Sequence, residues 1–185
     1  PASVAALGAI AFNDKVAYPW FAPAGFNRGA LDFVRSVDVR LGKDDRNELQ
    51  DARINPIATF PRTGFVIFGQ KTLQVANTAL NRVNVRRLML DVKRVVVDIA
   101  MDLVFEQNTK AVRDKFREQT TLRLGIIQAQ SGIELYKVVC DESNNSKTDI
   151  SNNKMNGRIT LTPTRAAETI ALDFIIDPLG ITFNT

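Results

Sequence analysis

The chain has 185 residues, 45% hydrophobic and 24% charged, enough to bury one full core and part of a second. It carries no histidine, one cysteine and a net charge of +4. These counts exclude Ser-His and Cys-His nucleophile pairs, His-ligated and thiolate zinc sites and an internal disulfide, while the small basic excess permits an acidic partner without identifying one.

In chain order, Ala2 to Phe12 is apolar but far too short for a membrane span, and it lacks a starting Met and a basic flank. It reads as neither anchor nor signal peptide. A chain opening Pro1-Ala-Ser without Met is expected to be a piece of a longer protein, and its single cysteine leaves cytoplasmic synthesis as the default. The prolines and glycine of Tyr18 to Gly25 rule out a regular helix and predict a structured loop. Asp44 or Asp45 is positioned to cap a short helix running through Asp51. Ile54 to Phe60 reads as extended because Pro56 biases Asn55 away from helix, Pro61 to Gly64 as a turn, and Phe65 to Leu73 as a strand passing into a loop.

The strongest helical pattern follows Asn81, a good N-cap, with Val85, Leu88, Met89, Val92, Val96, Ile99 and Leu103 on one face. A second helix is predicted from Asn108 or Thr109, with Val112, Phe116, Thr120, Leu124 and Ile127 inward and Ser131-Gly132 as its C-terminal stop. Past Gly132 the period changes. Ile133 to Cys140, Arg158 to Thr162 and Thr169 to Ile176 are strand candidates, with Asn144 to Asn156 between the first two as a solvated turn or loop. Helices followed by an antiparallel meander make an α+β order.

Three constellations offer chemistry. Cys140 ends a β-run and precedes Asp141 and Glu142, which would raise its pKa, so a small packed side chain is the better reading than a nucleophile. Asp141 with Asn144-Asn145 fits an Asx-type turn. Arg82, Arg86 and Arg87 suggest phosphate binding, but Arg87 with Asp91 and Arg94 with Asp98 have the spacing of intrahelical pairs, and no aromatic residues interleave to stack bases. On the second long helix, Lys110, Arg113, Lys115, Arg117 and Arg123 outnumber Asp114 and Glu118, a real positive excess suited to a solvated face or to an acidic protein surface. Asp44, Asp45, Glu48 and Asp51 alternate with Arg46 and Arg53 as an exposed charged face, and Gly25 and Gly29 lack the spacing of a phosphate loop. The β-prone end, Leu179 to Thr185, is either a frayed terminus or a strand waiting for a sheet.

Several blocks, taken in order, resemble the C-terminal part of contractile tail sheath proteins of long-tailed bacteriophages, the T-even and giant phages most of all. They are Pro23-Ala-Gly25, Ile54-Asn-Pro-Ile57, Phe68-Gly-Gln-Lys-Thr-Leu73, Arg82 to Leu88, Phe105-Glu-Gln-Asn108, Tyr136-Lys-Val-Val-Cys-Asp141, Asn144-Asn145, Pro163 to Glu168 and Ile170 to Phe174. The resemblance implies that residues 1–62 are the trailing part of a preceding α/β domain. It implies that 63–185 form the inner, tube-facing sheath domain, two amphipathic helices packed on a small mainly antiparallel sheet. It further implies a virion structural protein, assembled in the host cytoplasm, that polymerises in helical rings around the tail tube and contracts to drive the tube through the host envelope. Other sheath subunits, the tube protein, the baseplate and the tail terminator are its implied partners. No catalytic residue, metal, cofactor, small-molecule substrate, direct nucleic-acid contact or membrane insertion is implied. Leu179, Gly180, Ile181, Thr182, Phe183, Asn184 and Thr185 are expected to form an intersubunit strand arm, and Lys110, Arg113 and Arg117 to face the tube. The rival readings are a basic nucleic-acid-binding module and, behind it, a Cys140-dependent enzyme.

Overall fold

A computed structural model describes residues 1–171. Among these the order is α1 (Ala2–Val16), α2 (Lys43–Asp51), β1 (Ile57–Phe60), β2 (Gly64–Ile67), a 3-10 turn (Ala79–Asn81), α3 (Val83–Met101), α4 (Lys110–Ala129), β3 (Ile133–Val139), α5 (Lys147–Ser151) and β4 (Arg158–Pro163). The two long helices and the antiparallel pairs give the α+β class expected.

The apolar stretch at the start is a helix that the sequence pattern did not reveal. Ala5, Ala9 and Asn13 recur every fourth residue on its buried side, and the alanines let the helix lie close to Leu31 and Ile67, with Ile57 and Phe65 packed around them. Asn13 Nδ2 donates to the Tyr18 carbonyl at 3.2 Å and so ties the helix end to the loop that follows. In that loop Tyr18 stacks on Trp20 at 4.9 Å, and the Trp20 indole N–H donates to the Gln130 carbonyl at 3.0 Å. Gln130 is the C-cap of α4, so the indole satisfies a carbonyl group that the helix end leaves without an intrahelical donor. Gly29 permits the loop to touch β2: a Cβ there would lie 2.8 Å from the Ala24 Cα, the Gly25 nitrogen and the Ile67 carbonyl oxygen. The bonds it protects run from Gly25 N–H to Ile67 O at 2.9 Å and from Ile67 N–H to Gly29 O at 2.8 Å.

The N-cap of α2 is Gly42, not Asp44 or Asp45; Asp45 acts from inside the first turn, its Oδ2 accepting from the Gly42 N–H at 2.7 Å. Strands β1 and β2 pair antiparallel from Ile57↔Ile67 to Phe60↔Gly64. The division expected after residue 62 therefore falls in the turn of a hairpin, and the β1–β2 pairing and two hydrophobic clusters span it.

Helix α3 buries Val85, Leu88 and Val92, and its apolar stripe continues to Leu103, which is buried just past the helix end. Its N-cap is Arg82 rather than Asn81, because Asn81 is taken up in the preceding 3-10 turn. Helix α4 begins at the expected cap: Thr109 Oγ1 accepts from the Val112 N–H at 3.4 Å. Its buried stripe is Arg113, Phe116, Thr120, Leu124 and Ile127. The stop differs in detail from the expected glycine cap. Ser131, at φ 60°, adopts the left-handed conformation, while Gly132 serves close packing, since a Cβ there would meet Ile127 Cγ2 at 2.7 Å and Trp20 Nε1 at 3.0 Å.

Strand β3 pairs antiparallel with β4, Tyr136 opposite Leu161 and Val138 opposite Ile159, with a register shift between Ile133 and Leu135. Alternation back from Tyr136 would aim Glu134 at the core. The shift inserts one residue, leaving Glu134 exposed and Ile133 buried. Ile133 then joins Trp20, Leu88, Val92, Leu124 and Ile127 in the main core, onto which Tyr136, Val138, Ile159 and Leu161 pack. Asn144 to Asn156, expected as a solvated loop, contains α5, capped by Ser146 Oγ accepting from the Asp149 N–H at 3.1 Å. The third strand candidate is absent where it can be seen: Thr169 to Ala171 are not in a strand, and its remainder lies outside the described residues.

Candidate assembly surfaces

Cys140 is fully buried, at 0% exposure, beside Leu103 and Phe116 and against Val96, Val112 and Val138. Burial pushes its thiol pKa up; Asp141 adds to the rise, and the opposing pull of Arg113 and Arg117 does not cancel it. The site thus has the inert environment of a structural cysteine, the reverse of what a thiolate nucleophile requires. The turn behind it is a polar clasp. Asn144 Oδ1 accepts from the Asp141 N–H at 2.9 Å, Asp141 Oδ1 from the Ser143 N–H at 2.9 Å, and Asn144 Nδ2 donates to the carbonyls of Val139 and Asn156 at 3.0 and 2.8 Å. Asn145, only 3% exposed, donates to the Asp141 carbonyl at 3.0 Å and accepts from the Asn156 N–H at 2.6 Å. A segment read as solvent-facing is instead sewn to the start of β4.

The arginines are placed differently from their sequence spacing. Arg87 does not pair with Asp91; its Nη2 lies 2.6 Å from both carboxylate oxygens of Asp14 on α1. The hydrogen bond from Arg87 lowers the Asp14 pKa below its usual value. Arg94 pairs with Asp91 at 2.8 Å, one turn back, rather than with Asp98. On α4, Lys110 is exposed and Arg117 holds Asp114 at 2.8 Å, but Arg113 is only 6% exposed. Its Nη1 donates to Asn108 Oδ1 at 3.0 Å, and its Nη2 reaches Glu142 at 3.4 Å. Arg113 braces the entry of α4 against the turn after β3, so the structure does not bring Lys110, Arg113 and Arg117 together as one open cationic face.

Sheet geometry leaves two other surfaces. Strands β3 and β4 form a two-stranded sheet, so among the described residues each has one edge without a strand partner; Leu135 projects from the exposed face. Separately, a cavity of about 510 Å³ opens between the Trp20 loop, the end of β2 and the start of α3. The segment after β4 forms one wall, fixed by Glu168 Oε1, which pairs with Arg82 Nε at 2.7 Å and accepts from Gln70 Nε2 at 3.1 Å. This cavity was not legible in the sequence, since its walls come from segments far apart in the chain. The expected arm, Leu179 to Thr185, lies outside the described residues. Among the described residues no helix is long and apolar enough to cross a membrane, and no three His, Cys, Asp or Glu side chains cluster as metal ligands.

The profile of the phage tail sheath C-terminal domain matches residues 75–177. The chain is 36% identical over 168 residues to the tail sheath protein of Vibrio phage KVP40, covering 91% of this chain and 25% of that protein. It is 31% identical over 184 residues to the tail sheath protein of Enterobacteria phage T4, covering 100% of this chain and 28% of that protein. The chain thus spans about a quarter of the length of these relatives. Among solved structures, a chain of the contracted sheath complex of the extracellular contractile injection system PVC superimposes with a TM-score of 0.87 at 26% identity, over 97% of this chain and 52% of that one. A chain of the anti-feeding prophage baseplate gives 0.87 at 25% identity, over 96% and 50%. The profile covers more than half of the chain, and this chain belongs to the phage tail sheath C-terminal domain family.

Proposed function

We propose that the chain is the linking domain of a contractile tail sheath subunit. The observation that carries this reading is the β3–β4 hairpin, held on α4 and α3 by its inner face while both outer strand edges stay unpaired among the described residues. A small sheet with two open edges accepts strands from other chains. Arms from neighbouring subunits are the proposed donors, with Leu179 to Thr185 as the C-terminal one. Copies related by an operation that does not close build an open helical tube. If the extended tube is metastable, release at one end lets subunits rotate into a tighter packing while the strand links keep them connected. Packing does the work, and no bond chemistry is assigned to the domain.

On this reading the sheath encloses the tail tube between baseplate and terminator in the virion, after assembly in the host cytoplasm, and contraction drives the tube through the host envelope. Residues 63–185 are proposed to form the tube-facing domain and 1–62 the end of the preceding one, with the β1–β2 pairing joining the two across that line. Lys110 and Arg117 are proposed to point toward the tube, while Arg113, paired with Glu142, holds the start of α4 in place. The test is deletion of Leu179 to Thr185 from the full-length protein. The expected outcome is a folded subunit, with unchanged circular dichroism, that forms no tubes by electron microscopy; normal tubes would overturn the strand-arm account.

A further inference from the structure

We propose a second contact between copies, resting on the sheath reading above: the loop after α3, residues 104–107, plugs the 510 Å³ cavity of the next copy. Two observations, at opposite ends of α3, point to it. The first is Phe105, which is 100% exposed and has φ 70°. A phenylalanine in the left-handed region is strained, and a fully solvated ring gains nothing from burial to offset that strain. Val104 beside it is half exposed, and Glu106 and Gln107 are exposed as well.

The second is the chemistry of the cavity. Trp20, Phe21 and Phe68 give it an aromatic lining. Gln70 and Asn84, 5% and 4% exposed, complete its wall. Arg28, also in the wall, donates through Nε to the Ala22 carbonyl at 3.1 Å and lies 5.2 Å from the Phe21 ring centre. It forms no ion pair among the described residues, and Glu106 supplies the missing carboxylate. Ring and carboxylate on the loop therefore match aromatic wall and guanidinium in the cavity.

Position makes the contact intermolecular. Asn84 is in the first turn of α3 and Phe105 lies beyond its last; at about 1.5 Å per residue they are roughly 30 Å apart, so the loop cannot enter its own cavity. Each copy presents a plug at one end and a socket at the other, a heterologous contact that repeats without closing.

The test uses full-length protein, with tube formation followed by light scattering and electron microscopy. Phe105→Asp is expected to raise the critical concentration for assembly about tenfold or more, as loss of a buried aromatic anchor does, with no change in melting temperature. Glu106→Arg should impair assembly, and Arg28→Glu in the same chain should restore it. Phe105→Asp protein that forms normal tubes at the wild-type concentration overturns the plug contact and leaves the sheath reading standing, whereas failure of the unsubstituted protein to form any tubes overturns both. Failure of the paired charge reversal to restore assembly removes the Glu106 to Arg28 contact.

Discussion

The two halves of the described chain are held together by different kinds of core. In the second half, Leu88, Val92, Leu124, Ile127 and Ile133 interlock across two long helices and a strand. In the first half the cluster around α1 is Ala5, Ala9, Leu31 and Ile67, so that small side chains bring α1 close, and Leu31 is the one member of that cluster that is both large and fully enclosed. The difference teaches where assembly forces can be carried. The helix layer behind β3 and β4 resists deformation and holds the edges in place, while the alanine-lined contact of α1 adapts by small shifts.

The largest expected effect tests that contrast. Leu124→Ala leaves a hole walled by large side chains on separate elements and is expected to cost about 4 kcal/mol, whereas Leu31→Ala, next to the small-residue face of α1, costs about 2 kcal/mol because the site can collapse. Urea unfolding of both variants measures the gap; equal losses would break the comparison. A smaller effect tests the polar link between the halves, the Asp14 to Arg87 pair. Because the Asp14 pKa is lowered in the folded protein, its contribution is fully present above the ordinary value of 3.8 and is lost as pH falls through the folded-state value. The Asp14 carboxylate is 41% exposed, so solvent screening limits the pair to about 0.5 kcal/mol. Asp14→Asn should lower stability by that amount at neutral pH and show no difference from wild type at pH values below the folded pKa, as read from melting curves across the acid range. A difference that persists in acid would assign the effect to packing.

Legibility in the sequence follows the same division. Helices α3 and α4 were plain because apolar residues recur at the helical period against a charged background, and β3 because the period then changes. Helix α1 was hidden because Ala2 to Phe12 has no polar face against which a stripe stands out, and α5 because five residues are too few to show a period. Arg113 was assigned to the surface by residue type although its position, in register with Phe116, Thr120, Leu124 and Ile127, already placed it on the buried stripe. The Arg87 to Asp14 pair joins residues 73 apart, and local spacing instead suggested Asp91. The cavity and the exposed Phe105 likewise depend on tertiary arrangement, and in the sequence Phe105-Glu-Gln-Asn108 stands out only as one block of the family resemblance.

The central claim is that neighbouring subunits complete the sheet of this domain. Amide hydrogen exchange on the full-length protein, before and after it polymerises, reads this directly. The account predicts that the amides of β3 and β4 that do not bond across the hairpin exchange rapidly in the free subunit and become strongly protected in the tube. Tubes in which those amides exchange as fast as in the free subunit would contradict it.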